Sequence, residues 1–310
     1  MIYDVIIIGS GPAGLSAVIY AERAKLNALV IEKMPMSGGQ VLSTERVDNY
    51  AGLFGIAGFD LGMKFREHAD QLGAKFEEGT VSKVDVTGNI KKVYTEDGKE
   101  FETKSIIIAN GAEHSKLGVK GEEEFGGKGV SYCATCDGAF YRDKVTAVFG
   151  GGDVAVEDAI FLSRMCKKVY LVHRRDELRA AKILQEEVLS IDNVEMVWDS
   201  QLQEIVGEEK VNKVVVKNKK TGEDREIEVD GVFIAIGMTP QTEIYKDSGI
   251  EMHEKGYIVA NEECATNVPG VYVAGDVRTK SLRQIITACA DGAVAISNIE
   301  RYLIENKKNF

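Results

Sequence analysis

The chain has little proline, one tryptophan and no long apolar run. Of its 310 residues, 4 are proline, whereas 32 are glycine, which indicates many tight turns rather than flexible linkers. No uninterrupted apolar run approaches the ~20 residues that a helix needs to cross a bilayer. We therefore expect no membrane partner.

Basic side chains are also in deficit. The chain carries 38 Lys and Arg against 49 Asp and Glu, a net charge of −11 that repels phosphate backbones and anionic lipid surfaces. This charge argues against a nucleic-acid partner. The apolar run 3–8 follows the first residues directly, without a basic region ahead of a cleavable apolar stretch. We therefore expect a soluble, cytoplasmic protein.

The length, about twice that of a usual domain, predicts two domains. Hydrophobic residues make up 44% and charged residues 28%, as in an ordinary globular protein. Five cysteines are an odd number, and only Cys133 and Cys136 are closely spaced. This pattern excludes a small scaffold held together by structural disulfides and favours a single functional cysteine pair.

One order of elements occurs twice along the chain. The first copy predicts a strand, a glycine-rich turn, a helix, a second strand, a meander and a closing strand at 3–8, 9–14, 15–24, 28–31, 81–101 and 105–109. A long polar loop extends to about residue 58. The second copy predicts the same elements at 145–149, 150–152, 154–165, 169–172, 201–229 and 231–236.

A further strand at 270–276 and a helix at 281–304 end the chain. Because the first copy needs one more strand and helix to complete its sheet, we predict that the second copy is inserted into the first. The predicted fold class is α/β, with two Rossmann-like dinucleotide-binding domains that each carry a β-meander. The predicted segments are 1–114, 115–243 and 244–310.

Gly9, Gly11 and Gly14 have the spacing of a dinucleotide-binding turn. The first glycine allows the tight turn, the second lets a pyrophosphate approach the backbone, and the third lets helix and strand pack closely. Glu32 ends the second strand, where an acid accepts hydrogen bonds from ribose hydroxyls. The alternative is a glycine-rich turn without a ligand.

The second turn has Gly150, Gly152 and Ala155, and the position matching Glu32 is His173. Three arginines follow it: Arg174, Arg175 and Arg179. Guanidinium groups hold a 2′-phosphate that an acid would repel, so this turn is predicted to prefer NADPH. Alternatively, Asp176 and Glu177 pair with the arginines in a solvated helix start. Two unlike nucleotide sites predict a bound flavin and a diffusible nicotinamide, between which hydride passes.

Cys133-Ala-Thr-Cys136 is a redox motif in this context. A structural zinc site needs four ligands, and the chain offers no second C-x-x-C, so we predict no metal. At a helix start one thiolate attacks a partner and the other sulfur resolves the mixed disulfide. Asp137 either moves a proton or caps the helix. We expect the other three cysteines in helix or strand interiors, as small buried hydrophobes.

These residues resemble the low-molecular-weight, bacterial-type thioredoxin reductases over essentially the whole chain. The resemblance rests on CATCDG at 133–138, GGGDVA at 150–155, HRRDELR at 173–179, and AGD at 274–276 with Arg283-Gln284. It implies an NADPH-dependent thioredoxin-disulfide reductase. Asn110 and Ala51 depart from the family pattern, in loops.

The family's site residues carry over position by position. For FAD these are Gly9, Ser10, Gly11, Pro12, Ala13, Gly14, Glu32, Gly39, Gln40, Asn49, Gly111, Asp276, Arg283 and Gln284. For NADPH they are Gly150, Gly152, Asp153, Glu157, His173, Arg174, Arg175 and Arg179. Cys136 would face the flavin, Cys133 would attack thioredoxin or a thioredoxin-like protein, and Asp137 would be the acid/base. The family also implies a homodimer.

Because the cysteine pair lies in the same inserted domain as the NADPH site, both cannot occupy one flavin face at once. We therefore predict a domain rotation with hinges near 112–118 and 238–244. The rival interpretations are the reductase component of an alkyl hydroperoxide system, a small-dithiol oxidase and a non-catalytic redox sensor. Ferredoxin-fed relatives would lack the arginines after the second turn.

Overall fold

The structure is a computed structural model that describes residues 1–44 and 46–310. It divides into two compact units. The first unit comprises 1–113 and 239–310, and the second unit comprises 114–238. Both junctions fall within the predicted hinge segments, and the second unit begins at His114 and ends at Met238 against predicted bounds of 115 and 243.

Strands and helices alternate through both units. The strands are β1 (Ile2–Ile8), β2 (Ala28–Glu32), β3 (Phe76–Glu78), β4 (Val81–Asp85), β5 (Lys91–Thr95), β6 (Glu100–Ile108), β7 (Ala112–His114), β8 (Val130–Ser131), β9 (Val145–Phe149), β10 (Lys168–Val172), β11 (Val194–Val197), β12 (Ser200–Gly207), β13 (Val211–Asn218), β14 (Asp224–Glu228), β15 (Gly231–Ile234), β16 (Met238–Pro240) and β17 (Val271–Val273).

The helices are α1 (Pro12–Arg23), α2 (Gly58–Gln71), α3 (Ala134–Asp137), α4 (Asp153–Ser163), α5 (Lys182–Leu189) and α6 (Ile285–Glu305). Short 3-10 helices occupy Gly39–Ser43, Gly138–Tyr141, Glu243–Tyr245, Gly275–Val277 and Lys307–Asn309. No described helix combines the length and the hydropathy that a bilayer crossing requires.

The first unit is built on a seven-stranded sheet of order β3-β2-β1-β6-β5-β4, in which β17 also pairs with β6. β1, β2, β3, β6 and β17 are parallel, and β4 and β5 are antiparallel. Residues of β1 alternate between two apolar clusters, Val5 and Ile7 in one and Ile6 and Ile8 in the other. A central parallel strand buried on both faces reads as a continuous apolar run, as predicted.

β6 differs from the prediction, because the last meander strand and the closing strand are one strand. The gap left between the two predicted strands, at 102–104, contains Thr103, and both Thr103 and Ser105 are fully buried. The Ser105 hydroxyl donates to the Asp4 carbonyl at 2.6 Å, and the Thr103 hydroxyl donates to the Ser105 carbonyl at 2.8 Å. These hydrogen bonds satisfy the hydroxyls inside the sheet.

The second unit holds a parallel sheet of order β11-β10-β9-β15-β8 and a separate antiparallel meander, β12-β13-β14. The predicted repeat of strand, turn, helix and strand is therefore present in both units. β7 and β16 form a two-stranded sheet.

Several elements were not predicted. α2, α5, β3 and β11 are among them, and they lie in stretches to which no element was assigned. α6 begins at Ile285 rather than 281, because Gln284 and Thr287 form a capping box in which the Gln284 N–H donates to the Thr287 hydroxyl at 3.0 Å.

Candidate functional site

The turn after β1 separates glycines that the fold needs from one that it does not. Gly9 has φ +102°, and a Cβ there would lie 2.6 Å from the Ala109 carbonyl oxygen. A Cβ on Gly14 would lie 1.9 Å from the Gly9 oxygen, so α1 packs on the turn only through glycine. At Gly11, φ is −72° and a Cβ would meet no atom within 4 Å. The space beside Gly11 is therefore open to a ligand.

Glu32, at the end of β2, fixes this turn. Its Oε2 accepts the Ser10 N–H at 2.6 Å and the Ser10 hydroxyl at 2.8 Å, and its Oε1 accepts the Met34 N–H at 3.0 Å. A carboxylate offers about four acceptor positions, so Oε1 can still accept from a ribose hydroxyl. Glu32 can therefore brace the turn and bind a ligand at once.

The other residues predicted for this site surround the turn in the same unit. Pro12 begins α1, and Ala13 is buried in it. A Cβ on Gly39 would lie 3.3 Å from the Gly11 Cα, and the Gln40 amide donates to the Ala112 carbonyl. Gly111 has φ +70° and open space where a side chain would be.

Asp276 carries an unsatisfied buried oxygen. Its Oδ1 has no hydrogen-bond partner among the described residues, and burial raises the pKa of its carboxyl. Arg283 donates to the Asp276 carbonyl at 3.2 Å, and the Asn49 amide donates to the Gln284 amide oxygen at 2.9 Å. A buried carboxylate oxygen without a partner fits a ligand that brings a hydroxyl group.

The turn after β9 repeats the arrangement of the first. A Cβ on Gly150 would lie 2.4 Å from the Ala235 oxygen, whereas Gly152 has φ −94° and nothing within 4 Å of a Cβ. Asp153 accepts the Ala181 N–H at 2.8 Å. The middle glycine again leaves space that the protein itself does not fill.

His173 lies beneath this turn rather than in the open. Its side chain is buried, and a Cβ on Gly151 would lie 2.2 Å from its ring. Burial, and then the nearby arginines, lowers the pKa of His173, although a hydrogen bond with the Gly150 backbone opposes this shift. The neutral imidazole therefore packs under the turn as a support.

The three arginines after β10 are exposed and have no ion pair among the described residues. Asp176 pairs with Lys220 at 2.7 Å, and neither Asp176 nor Glu177 forms an ion pair with the arginines among the described residues, so the alternative in which these two acids neutralise them is wrong. The Arg179 N–H donates to the Gly151 carbonyl at 2.7 Å, which ties this segment to the turn. Glu157 is exposed on α4. The site therefore presents free positive charge, as a 2′-phosphate requires.

Cys133 and Cys136 are joined in a disulfide. Cys133 directly precedes α3, and Asp137 is its last residue. The Ser131 hydroxyl donates to Asp137 Oδ2 at 2.6 Å, and Asp137 makes no side-chain cap to the following 3-10 helix. The carboxylate of Asp137 therefore has a hydrogen bond from a buried hydroxyl, and its role in proton transfer stays a prediction.

The other cysteines lie elsewhere. Cys166 and Cys264 are buried, and burial raises the pKa of Cys264 to about 12 and that of the half-buried Cys289 to about 11. Cys166 and Cys264 were expected in helix or strand interiors, but Cys166 lies in a bend between α4 and β10, and Cys264 follows a turn, with φ +61°. Within residues 1–44 and 46–310, no three His, Cys, Asp or Glu side chains come together as a metal site.

Sequence reasoning missed the buried Glu122. It lies beside residues 132–137, the segment with the cysteine pair, which we call the redox loop. It accepts the Leu117 N–H at 3.1 Å, the Gly118 N–H at 2.7 Å and the Tyr132 hydroxyl at 2.9 Å. The Tyr132 ring stacks on His114. Glu122 begins a run of three glutamates, a pattern that is typical of a solvated surface.

Asp291 was also missed. It lies on α6 in the first unit and accepts the Gly275 N–H at 2.9 Å, Arg278 Nε at 3.0 Å and Lys280 Nζ at 2.7 Å. Burial alone would raise the pKa of Asp291, but the hydrogen bonds from Arg278 and Lys280 hold it below its ordinary value. This cluster fixes the segment that carries Asp276.

Comparison with proteins of known family shows the family to which this chain belongs. The family described as pyridine nucleotide-disulphide oxidoreductase matches residues 3–292. Thioredoxin reductases of Listeria innocua and Bacillus subtilis are each 47% identical, over 99% and 98% of this chain and 96% of each relative. The crystal structure of thioredoxin reductase from Streptococcus pyogenes superimposes with a TM-score of 0.94 at 45% identity, over 98% of this chain and 99% of that one. The chain therefore belongs to the pyridine nucleotide-disulphide oxidoreductases and, within them, to the thioredoxin reductases.

Proposed function

We propose that this chain uses NADPH and FAD to reduce the disulfide of thioredoxin or a thioredoxin-like protein through Cys133 and Cys136. The main support for this proposal is a combination of features in the second unit. A disulfide, an acid held by a buried hydroxyl, and a glycine-rich turn followed by arginines that form no ion pair with any described residue occur together there. A structural disulfide alone would need neither the acid nor the arginines.

The residues of both turns fit dinucleotides. In the first unit, the open space at Gly11, the free acceptor position of Glu32 and the unpartnered oxygen of Asp276 suit FAD. In the second unit, the space at Gly152 and the arginines suit NADPH. The bound cofactors supply hydride transfer from nicotinamide to flavin and an electron pair for a disulfide.

The chain's own cysteines carry out the exchange with the partner. In the dithiol form, the Cys133 thiolate attacks one sulfur of the partner disulfide, and the partner's other sulfur leaves as a thiolate. Cys136 then attacks the Cys133 sulfur, which releases the partner's second thiol and re-forms the disulfide. Two electrons pass to the partner, and the chain returns to its oxidised state.

Asp137 is proposed to move the proton in this exchange. Cys136 must lose its proton to attack, and the departing partner thiolate must gain one. A carboxylate adjacent to Cys136 can accept the first proton, and its acid form can donate the second.

The domain roles and the assembly belong to the same proposal. The predicted segments 1–114 and 244–310 form the FAD-binding domain, and 115–243 forms the NADPH-binding domain. The rotation about the connecting segments stays a prediction, as do the homodimer and the cytoplasmic location.

An anaerobic titration of the purified chain with NADPH tests the proposal. We expect the flavin absorbance to bleach, and added thioredoxin to restore it as its disulfide is reduced. A chain without flavin, or one whose flavin is not reduced by NADPH, would overturn the proposal. Turnover only with a peroxiredoxin, or with oxygen and a small dithiol, would indicate one of the rival enzymes.

Replacing Cys136 with serine separates the two half-reactions. We expect Cys136→Ser to keep NADPH-dependent flavin bleaching and to lose roughly 10³-fold or more in thioredoxin turnover, because no sulfur remains to resolve the mixed disulfide. Stopped-flow absorbance measures the first reaction and a coupled thioredoxin assay the second. Cys166→Ala, at a buried cysteine of the same unit, is the matched control. Loss of both reactions in Cys136→Ser would contradict the assigned relay.

A further inference from the structure

Ser131 lies at the edge of the redox loop and belongs to the core of the second unit. It is the last residue of β8, and its backbone is in register with Phe233 of β15, a fully buried residue. The side chain of Ser131 is only 5% exposed. This hydroxyl is therefore held by the central sheet and not by the loop.

Two hydrogen bonds meet at the Ser131 hydroxyl. The Cys133 N–H donates to Ser131 Oγ at 3.1 Å, and Ser131 Oγ donates to Asp137 Oδ2 at 2.6 Å. A hydroxyl has one proton, and the competing acceptor, the Cys133 carbonyl, lies farther away at 3.4 Å. The proton therefore points to Asp137, and the lone pair accepts from Cys133.

This chain of hydrogen bonds favours one protonation state of Asp137. A hydroxyl that donates to a carboxylate stabilises the ionised form, and each bond in such a chain polarises the next. A change in the charge of Asp137 therefore changes the polarisation of the Cys133 N–H at the other end of the chain of hydrogen bonds.

We propose that Ser131 is a positioning residue that keeps Asp137 ionised and joined to the backbone of Cys133. This inference rests on the proposed function. In the resolving step, the Asp137 carboxylate takes the proton of the Cys136 thiol, and the Cys136 sulfur bonds to the Cys133 sulfur. The bond between Cys133 and the partner sulfur breaks, and the electron pair leaves with the partner thiolate. The Ser131 hydroxyl forms hydrogen bonds with the Cys133 backbone and with Asp137, so Ser131 acts through these groups.

Other titratable groups lie on the elements around α3. Asp153, Glu157 and Asp158 belong to α4, and Tyr141 belongs to the following 3-10 helix. Tyr132, next to Ser131, donates to Glu122. None of these groups changes between variants at Ser131, so a difference between such variants reports the hydroxyl itself.

The test is an NMR titration of the oxidised holoprotein labelled with [15N]cysteine. The 5 cysteines give one amide signal each, and the Cys133 signal is assigned by its loss in Cys133→Ser. We expect this signal to titrate with Asp137 in the unmodified chain and to stop titrating in Asp137→Asn. A Cys133 signal that does not titrate in the unmodified chain would overturn the proposal, even if Ser131→Ala does not fold.

In Ser131→Ala we expect the titration midpoint to rise by about one pH unit, because the ionised carboxylate loses its donor. Ser131→Thr keeps a hydroxyl and should restore the midpoint. The matched control is Ser200→Ala. Ser200 is also a strand serine of the second unit at 5% exposure, and its hydroxyl donates to a backbone carbonyl. If Ser131→Ala lowers the melting temperature as Ser200→Ala does and leaves the titration midpoint of the Cys133 signal unchanged, Ser131 has only a structural role and the proposal is wrong.

Kinetics provide a second measurement. We expect the acid limb of the pH profile of thioredoxin turnover to move upward in Ser131→Ala, while the rate of flavin bleaching by NADPH stays unchanged. A shift in both rates would contradict the proposal. An unmodified chain that does not turn over thioredoxin would instead refute the proposed function, and the NMR midpoints would still decide the role of Ser131.

Discussion

The two glycine-rich turns are packed alike and have opposite charges at the end of the next strand. In each turn the first glycine packs against a backbone carbonyl, of Ala109 in the first unit and of Ala235 in the second. In each, the middle glycine borders open space. At the end of β2, however, Glu32 accepts three hydrogen bonds, whereas the arginines that follow β10 have no ion pair among the described residues.

This difference separates what all dinucleotides share from what distinguishes them. The backbone of the turn can receive a pyrophosphate at either site, because N–H groups do not depend on side-chain identity. The residues at the end of the following strand meet the ribose, and their charge decides whether a 2′-phosphate is accepted or repelled.

Substitutions of the two middle glycines should have the largest effects, and they test whether both turns bind a dinucleotide. We expect Gly11→Val to abolish FAD binding, and Gly152→Val to keep the flavin but lower NADPH-dependent reduction by about 100-fold or more, because each side chain fills the ligand's space. Flavin absorbance per chain and stopped-flow bleaching measure the two effects.

Both substitutions should spare the apo fold, since neither backbone nor neighbours require glycine there. Gly14→Ala, in contrast, should misfold, because its Cβ would lie 1.9 Å from the Gly9 oxygen. A Gly152→Val chain that binds NADPH normally would show that the second turn is not the nucleotide site.

The arginines that follow β10 test whether the second turn distinguishes NADPH from NADH. We expect replacement of Arg174, Arg175 and Arg179 by glutamine to raise the KM for NADPH by roughly 10- to 100-fold and to leave the KM for NADH unchanged, because only the 2′-phosphate loses its charged donors. Steady-state kinetics with both nucleotides measure the effect. Arg225→Gln is the control, since Arg225 pairs with Glu195 at 2.9 Å. An equal rise for both nucleotides would refute selection by the arginines.

One acid in each unit, the buried Asp291 and the half-buried Asp158, extends the comparison to stability. Asp291 in the first unit is paired, whereas Asp158 in the second has no hydrogen-bond partner among the described residues, and burial followed by Glu157 raises its pKa to about 7. At pH 8 we expect Asp291→Asn to cost about 3 kcal/mol and Asp158→Asn to add about 2 kcal/mol. Urea unfolding measures both, with exposed Glu186→Gln as the control.

The two effects should depend on pH in opposite ways. The lowered pKa of Asp291 means that its stabilisation is present above the unfolded pKa of about 4 and is lost as the pH falls through the folded value. The raised pKa of Asp158 means that its penalty is absent below about pH 4, grows towards pH 7 and is complete above it. A gain in Asp158→Asn that is as large at pH 4 as at pH 8 would refute this account.

Local sequence predicted the repeated elements because their signals lie within a few residues. An apolar run followed by Gly-x-Gly and a helical period indicates strand, turn and helix in either unit, and both occur as predicted. Periodicity failed where a polar residue is buried, as at Thr103 and Ser105 in β6, or where a helix is mostly polar, as in α2.

The site divides in the same way. Residue spacings along the chain were enough to predict the family, the cysteine pair, the two turns and the change from Glu32 to His173, because these signals are local. Only the tertiary structure showed that Ser131 links Cys133 to Asp137, that Glu122 secures the redox loop, and that Asp291 braces the segment of Asp276. Such contacts depend on burial and on strands that meet in space, and a hydroxyl or carboxylate in the sequence does not reveal which donor it will face.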